Sequence, residues 1–133
     1  LGVFVYLTLI ETGGMVMQHA IVSIWSIIEN VRCEDGKILV ICPDWFICKY
    51  VFDDLFTNGS AWRHVMYKTP GMFLINNGPK VTFSTSNFRN FIEGNEYSGI
   101  IIVGTYKGLD VPELLSRLRY KTTYKPFLKF VQL

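Results

Sequence analysis

The stretch from Gly2 to Val31, GVFVYLTLI-ETGG-MVMQHAIVSIWSIIENV, decides the fold. Gly2–Ile10 is apolar without polar alternation, as expected of a strand covered on both faces. Glu11-Thr12-Gly13-Gly14 reads as a tight turn, with two glycines for backbone freedom and Thr12 able to cap a helix beginning at Met15. Met15–Val31 predicts that helix, and a long one. His19, Ser23, Ser26 and Asn30 fall at spacings that place them on one narrow polar stripe, and the rest is largely apolar, so the helix is expected to be mostly buried.

The same alternation of strand and helix continues outward from this unit. Lys37–Cys42 (KILVIC) predicts a second buried strand. Pro43 suits the first turn of a helix over Asp44–Phe56, whose apolar side is expected to carry Phe46, Ile47, Tyr50, Val51 and Leu55. Arg63–Lys68 reads as a short strand broken by Thr69-Pro70-Gly71. Asn76-Asn77-Gly78-Pro79 between Met72–Ile75 and Lys80–Phe83 signals a hairpin. Phe88–Ile92 suits a helical turn. Ser98–Val103 (SGIIIV) predicts another buried strand, Asp110 caps a helix from Val111 to about Arg119, and Lys125–Leu133 reads as a last strand. The expectation is one α/β domain over residues 1–133, three layers deep, with a largely parallel sheet and a small β-hairpin insertion.

Composition narrows the classes. The chain has 133 residues, of which half are hydrophobic and 18% are charged, which favours a packed core over disorder. No segment offers the roughly 20 apolar residues of a membrane-spanning helix. Leu1–Ile10 is too short, and Met15–Ile28 contains Gln18, His19 and two serines. The start has no basic segment of the signal-peptide kind, and Cys33, Cys42 and Cys48 have no zinc-ligand spacing with His19 or His64. Reduced, buried thiols in an intracellular setting, cytoplasmic or nuclear, are expected. Charge is uneven. Residues 1–60 hold three basic and seven acidic side chains, whereas residues 61–133 hold ten basic and four acidic ones.

The order of elements resembles the ATPase core shared by helicases and the large subunits of viral DNA-packaging terminases. The resemblance rests on the strand, glycine turn and helix of Gly2–Val31, on ILVICPDWF as a strand running through a Pro-containing turn into a helix, and on NNGPKVTFSTS as a polar segment on a hairpin. It extends to IIIVGTY where an apolar strand would end in the Walker B acids, and to LLSRLR as the helix beyond them. It implies a phosphate-binding turn at Thr12, Gly13 and Gly14. The chemistry is missing from it. In a G-x-x-x-x-G-K-[ST] loop the Lys neutralises phosphate and the hydroxyl holds magnesium. Laid on that pattern, the first glycine falls on Leu9, the second on Gly14, the Lys on Met15 and the hydroxyl on Val16. The Walker B acids fall on Gly104 and Thr105. Without those charges phosphoryl transfer loses its main stabilisation. The resemblance therefore implies a degenerate core that does not hydrolyse ATP.

Other site classes find no set of residues. The chain has no G-x-S-x-G elbow, no histidine assignable to a cysteine, and no spacing that gathers Asp44, Asp53, Asp54, Glu93 and Glu96 into a metal site. Pro43-Asp44 would be half of a nuclease motif whose acid-x-Lys half is lacking. No cofactor and no metal are expected. Two functions fit these residues. The first is a non-catalytic binding or assembly protein, of a viral kind where the terminase likeness is taken up, whose partner is another protein or a second copy. The second is a nucleic-acid-binding or -processing domain that uses Arg117, Arg119, Lys121 and Lys125, with Tyr120 and Tyr124 interleaved for stacking.

Overall fold

The computed structural model describes residues 19–30, 36–57, 65–69, 71–75, 78–85, 93–104, 108–119 and 126–133. The expected strand Gly2–Ile10, the turn at Thr12, Gly13 and Gly14, and the helical turn at Phe88–Ile92 lie outside these residues. The elements are helix α1 (19–30), strand β1 (Lys37–Cys42), helix α2 (Trp45–Thr57), strands β2 (Val65–Thr69), β3 (Met72–Ile75), β4 (Lys80–Thr85) and β5 (Gly99–Val103), helix α3 (Val111–Ser116) and strand β6 (Phe127–Val131).

The strands form one six-stranded sheet in the order β2-β3-β4-β1-β5-β6. β4, β1, β5 and β6 are mutually parallel, with Val40 opposite Phe83 on one side and Ile101 on the other. β2 and β3 extend the sheet antiparallel, Phe73 pairing with Val81 across the predicted hairpin. The largely parallel α/β architecture with its hairpin insertion is the one the sequence predicts.

Alternation along the central strands explains their unbroken apolar runs. Ile38, Val40 and Cys42 of β1, with Ile101 and Val103 of β5, pack beneath α1 and α2 against Ile24, Ile28, Val51 and Phe52. Leu39 and Ile41, with Ile100 and Ile102, face the other way and meet Leu114 of α3. Both faces are covered, so both sets of side chains must be apolar. Each buried Ile or Leu stabilises by roughly 1.5–3 kcal/mol relative to exposure. Phe52 and Phe83 fix α2 over β4 through an edge-to-face contact with centroids 5.3 Å apart.

Three local expectations need correction. First, Pro43 precedes α2, and Asp44 is its cap, accepting a hydrogen bond from the Ile47 amide at 2.8 Å. Second, the buried side of α2 carries Cys48, Val51 and Phe52, while Phe46 and Tyr50 are exposed. Third, α3 stops at Ser116 rather than near Arg119. Leu118 leaves the helix to form a parallel bridge with Tyr97, and that departure positions Arg117 and Arg119 on either side of it. α1, by contrast, has the predicted face: His19, Ser23, Ser26 and Asn30 are all exposed.

Candidate functional site

The two edges of the parallel sheet differ in chemistry. At the carboxyl ends, the strand order reverses between β1 and β5: α2 leads from β1 towards β4 on one face, and α3 leads from β5 to β6 on the other. Such a switch point is where open α/β sheets usually take a ligand. Here Gly104 follows β5 with φ +84°, and its amide donates to the Val131 carbonyl at 2.7 Å. A Cβ at Gly104 would lie 2.7 Å from Cγ of Pro43 and 3.2 Å from Cδ1 of Leu133. Apolar side chains therefore fill the space beside Gly104. Thr105, like Thr12, Gly13 and Gly14, is outside the described residues.

The amino-terminal edge is open and cationic. A groove of about 500 Å³ is lined by Lys37 at the start of β1, Asn95 and Glu96 before β5, and Arg117 and Arg119 after α3, with Gly36, Gly94, Tyr97 and Ser98 between them. Its walls are held by backbone pairing. The Tyr97 amide donates to the Arg117 carbonyl at 2.8 Å, and the Arg119 amide donates to the Tyr97 carbonyl at 2.9 Å. Leu118 packs against the core beside this bridge, while Arg117 and Arg119 on either side of it line the groove. Ser98 is buried, and its hydroxyl donates to the Lys37 carbonyl at 3.0 Å, tying β1 to the strand entrance of β5.

The cations differ in how they are engaged. Lys37 Nζ donates to Asn95 Oδ1 at 3.3 Å. Arg119 Nε lies 3.5 Å from a Glu96 carboxylate oxygen, and its Nη1 donates to the carbonyls of Ser116 and Leu118, both at 2.7 Å. The pair with Glu96 is solvent-exposed on both sides, so it contributes little to stability. Arg117 is half-buried, and its Nε is buried with no hydrogen-bond partner among the described residues. Burial pushes the Tyr97 phenol above its usual range.

Of the four basic residues singled out from sequence, Arg117 and Arg119 come together in this groove, and Lys121 and Lys125 lie outside the described residues. Lys37 and Asn95 escape sequence reasoning. Lys37 is the only charge on an otherwise apolar strand, a signal too common to mark a site, and its neighbours come from the other half of the chain.

The remaining chemistry is structural. Cys42 and Cys48 are free and buried, as expected, while Cys33 lies outside the described residues. The hydrogen bond to Cys48, and then burial, hold the Cys42 thiol protonated well above its ordinary range. Among the described residues no three His, Cys, Asp or Glu side chains are grouped to hold a metal ion, and no helix is long and apolar enough to cross a membrane. Comparison of the chain with protein-family models and with curated proteins gives no match.

Proposed function

We propose that the chain is a non-catalytic binding protein on a degenerate P-loop-like α/β core, acting in an assembly with a protein partner or a second copy. Gly104 carries this reading. The position that would hold the metal-binding acid has a left-handed backbone, and the space for a side chain there is taken by Pro43. An acid could not enter without moving the chain, so the strand-end crevice suits packing better than phosphoryl transfer. A surface for a partner lies on α2, where Trp45 is 65% and Phe46 78% exposed beside Tyr50. Aromatic side chains of this kind commonly anchor interfaces.

The test is calorimetric titration with magnesium-ATP, alongside a phosphate-release assay and sedimentation of the protein alone and with candidate partners. The reading expects no turnover, and association that weakens when Trp45 and Phe46 are both changed to Ser. Turnover above background, or association unaffected by those changes, would overturn it.

One observation favours a second reading, in which the partner is nucleic acid: Arg117 and Arg119 share a groove with Lys37. Oligonucleotide affinity that falls steeply with salt would support it, because bound phosphates release counterions. Affinity that is absent or indifferent to salt would remove it.

A further inference from the structure

We propose that the groove at the amino-terminal edge of the sheet is a binding site for a phosphate-type oxyanion, gripped by Arg117 and Lys37. This goes beyond the assembly reading and rests on the same groove as the nucleic-acid reading, to which it gives a defined pocket and chemistry. The phosphate could belong to a free small molecule or to a nucleic-acid backbone, and the test distinguishes the two.

Three observations converge on it. The first is charge. Among the described residues that line the groove, Lys37, Arg117 and Arg119 stand against one carboxylate, Glu96, and Arg119 already engages that carboxylate. The balance among these residues is positive. The second is the state of the Arg117 guanidinium. Lys37 and Arg119 have acceptors, whereas Arg117 Nε is buried and has none among the described residues. A buried donor without an acceptor is uncommon and unfavourable, the more so on a charged group. An oxyanion that draws the guanidinium out into the groove would satisfy it, in the two-pronged geometry that guanidinium groups make with phosphate. The third is access. A Cβ on Gly94 would meet nothing within 4 Å, and Gly36 opposite also lacks a side chain. The groove of about 500 Å³ therefore admits a phosphate together with part of what it is attached to.

Geometry assigns the roles. The backbone of Arg117 is held by the Tyr97 amide, which donates to its carbonyl and so fixes where the side chain leaves the main chain. Lys37 lies on the exposed rim of β1 and can exchange Asn95 Oδ1 for a phosphate oxygen. Arg119 pairs with Glu96, offsetting that carboxylate's charge, and holds the end of α3.

The experiment is calorimetric titration of the whole chain, in buffer free of phosphate, with inorganic phosphate, with pyrophosphate and with a twelve-nucleotide oligothymidylate. Saturable binding of at least one is expected. Arg117→Gln should lose at least tenfold in affinity and Arg117→Lys should lose less, since it keeps the charge without the fork. Lys37→Gln, a change on the exposed rim, should weaken binding severalfold with the fold intact by circular dichroism. Lys129→Gln, outside the groove, should leave affinity unchanged. Phosphate or pyrophosphate binding without oligonucleotide binding supports the site and assigns a small-molecule ligand. Oligonucleotide binding displaced by pyrophosphate supports it and assigns a backbone phosphate. If the folded protein binds none of the three, or if Arg117→Gln and Lys37→Gln bind as tightly as the wild type, the proposal is overturned.

Discussion

The aromatic ring of Phe127 occupies the space that a Cβ on Gly99 would need. The two residues are register partners in the parallel strands β5 and β6, and a methyl group built on Gly99 would meet three carbons of the ring. Gly99 is buried, and the Lys129 ammonium lies 6.0 Å from the centroid of the same ring. Glycine in a strand interior often marks such a close approach. Gly99→Ala should therefore destabilise the protein by about 1–3 kcal/mol through overpacking. Urea unfolding would read this as a lower midpoint with an unchanged slope. Adding Phe127→Ala should cost less in the Gly99→Ala background than in the wild type, because the two changes share one contact. A Gly99→Ala protein as stable as wild type would refute the packing described.

Placing an acid at Gly104 should not confer ATPase activity. Gly104→Asp forces a side chain onto a backbone at φ +84°, with Cβ directed at Pro43. The left-handed conformation alone costs an L-residue roughly 1–2 kcal/mol. The expected result is a thermal midpoint several degrees lower and phosphate release no higher than background. Pro43→Ala in the same background should recover only the part due to the contact. An active and undiminished Gly104→Asp protein would refute the account of the crevice as a packed element.

The sequence displays the fold because burial on both faces leaves a simple trace. KILVIC and GIIIV are apolar at consecutive positions, and in the sheet Leu39 and Val40, like Ile100 and Ile101, face opposite layers. The antiparallel pairing of β3 with β4 and the Asp110 cap have local causes, and both are present. The exposed face of α2 is not legible, because Phe46 and Tyr50 offer as apolar a stripe as Cys48, Val51 and Phe52. Only the sheet beneath decides between them. The end of α3 is hidden for a related reason. Leu118 has helical spacing from Leu114, but its pairing with Tyr97 prevails. The groove is legible only in Arg117 and Arg119. Lys37 and Asn95 join them through strand order, which no local pattern encodes.

The start of α2 should depend on one carboxylate. Asp44 Oδ1 accepts from the Ile47 amide at 2.8 Å, and the Asp44 carbonyl accepts from the Cys48 amide at 3.0 Å. Asp44→Ala should cost about 1 kcal/mol, within the roughly 0.5–2 kcal/mol typical of such caps. Asp44→Asn should retain most of the stability, since its amide oxygen can accept the same bond. Denaturant unfolding of the three proteins orders them, and an Asp44→Ala midpoint equal to wild type would argue against the cap.

Alkaline stability should depend on Tyr97. Its side chain is 5% exposed, and burial raises the phenol above the ordinary value of 10.0. Ionisation would place a charge where water is scarce. In the unfolded chain the phenol titrates near 10.0, so above that pH the unfolded state has released a proton that the folded state still holds. Stability then falls with rising pH, because the unfolded state binds fewer protons. The contribution is complete below pH 10.0 and is lost as pH climbs towards the folded-state value. The readout is a difference between two proteins, so that contributions common to both cancel. Unfolding midpoints of wild type and Tyr97→Phe should run parallel from about pH 7 to 9 and converge or cross above about pH 10, as the wild type alone carries the cost of the phenolate. Midpoints that stay parallel to about pH 11 would show that the phenol ionises as freely in the folded protein as in the unfolded chain.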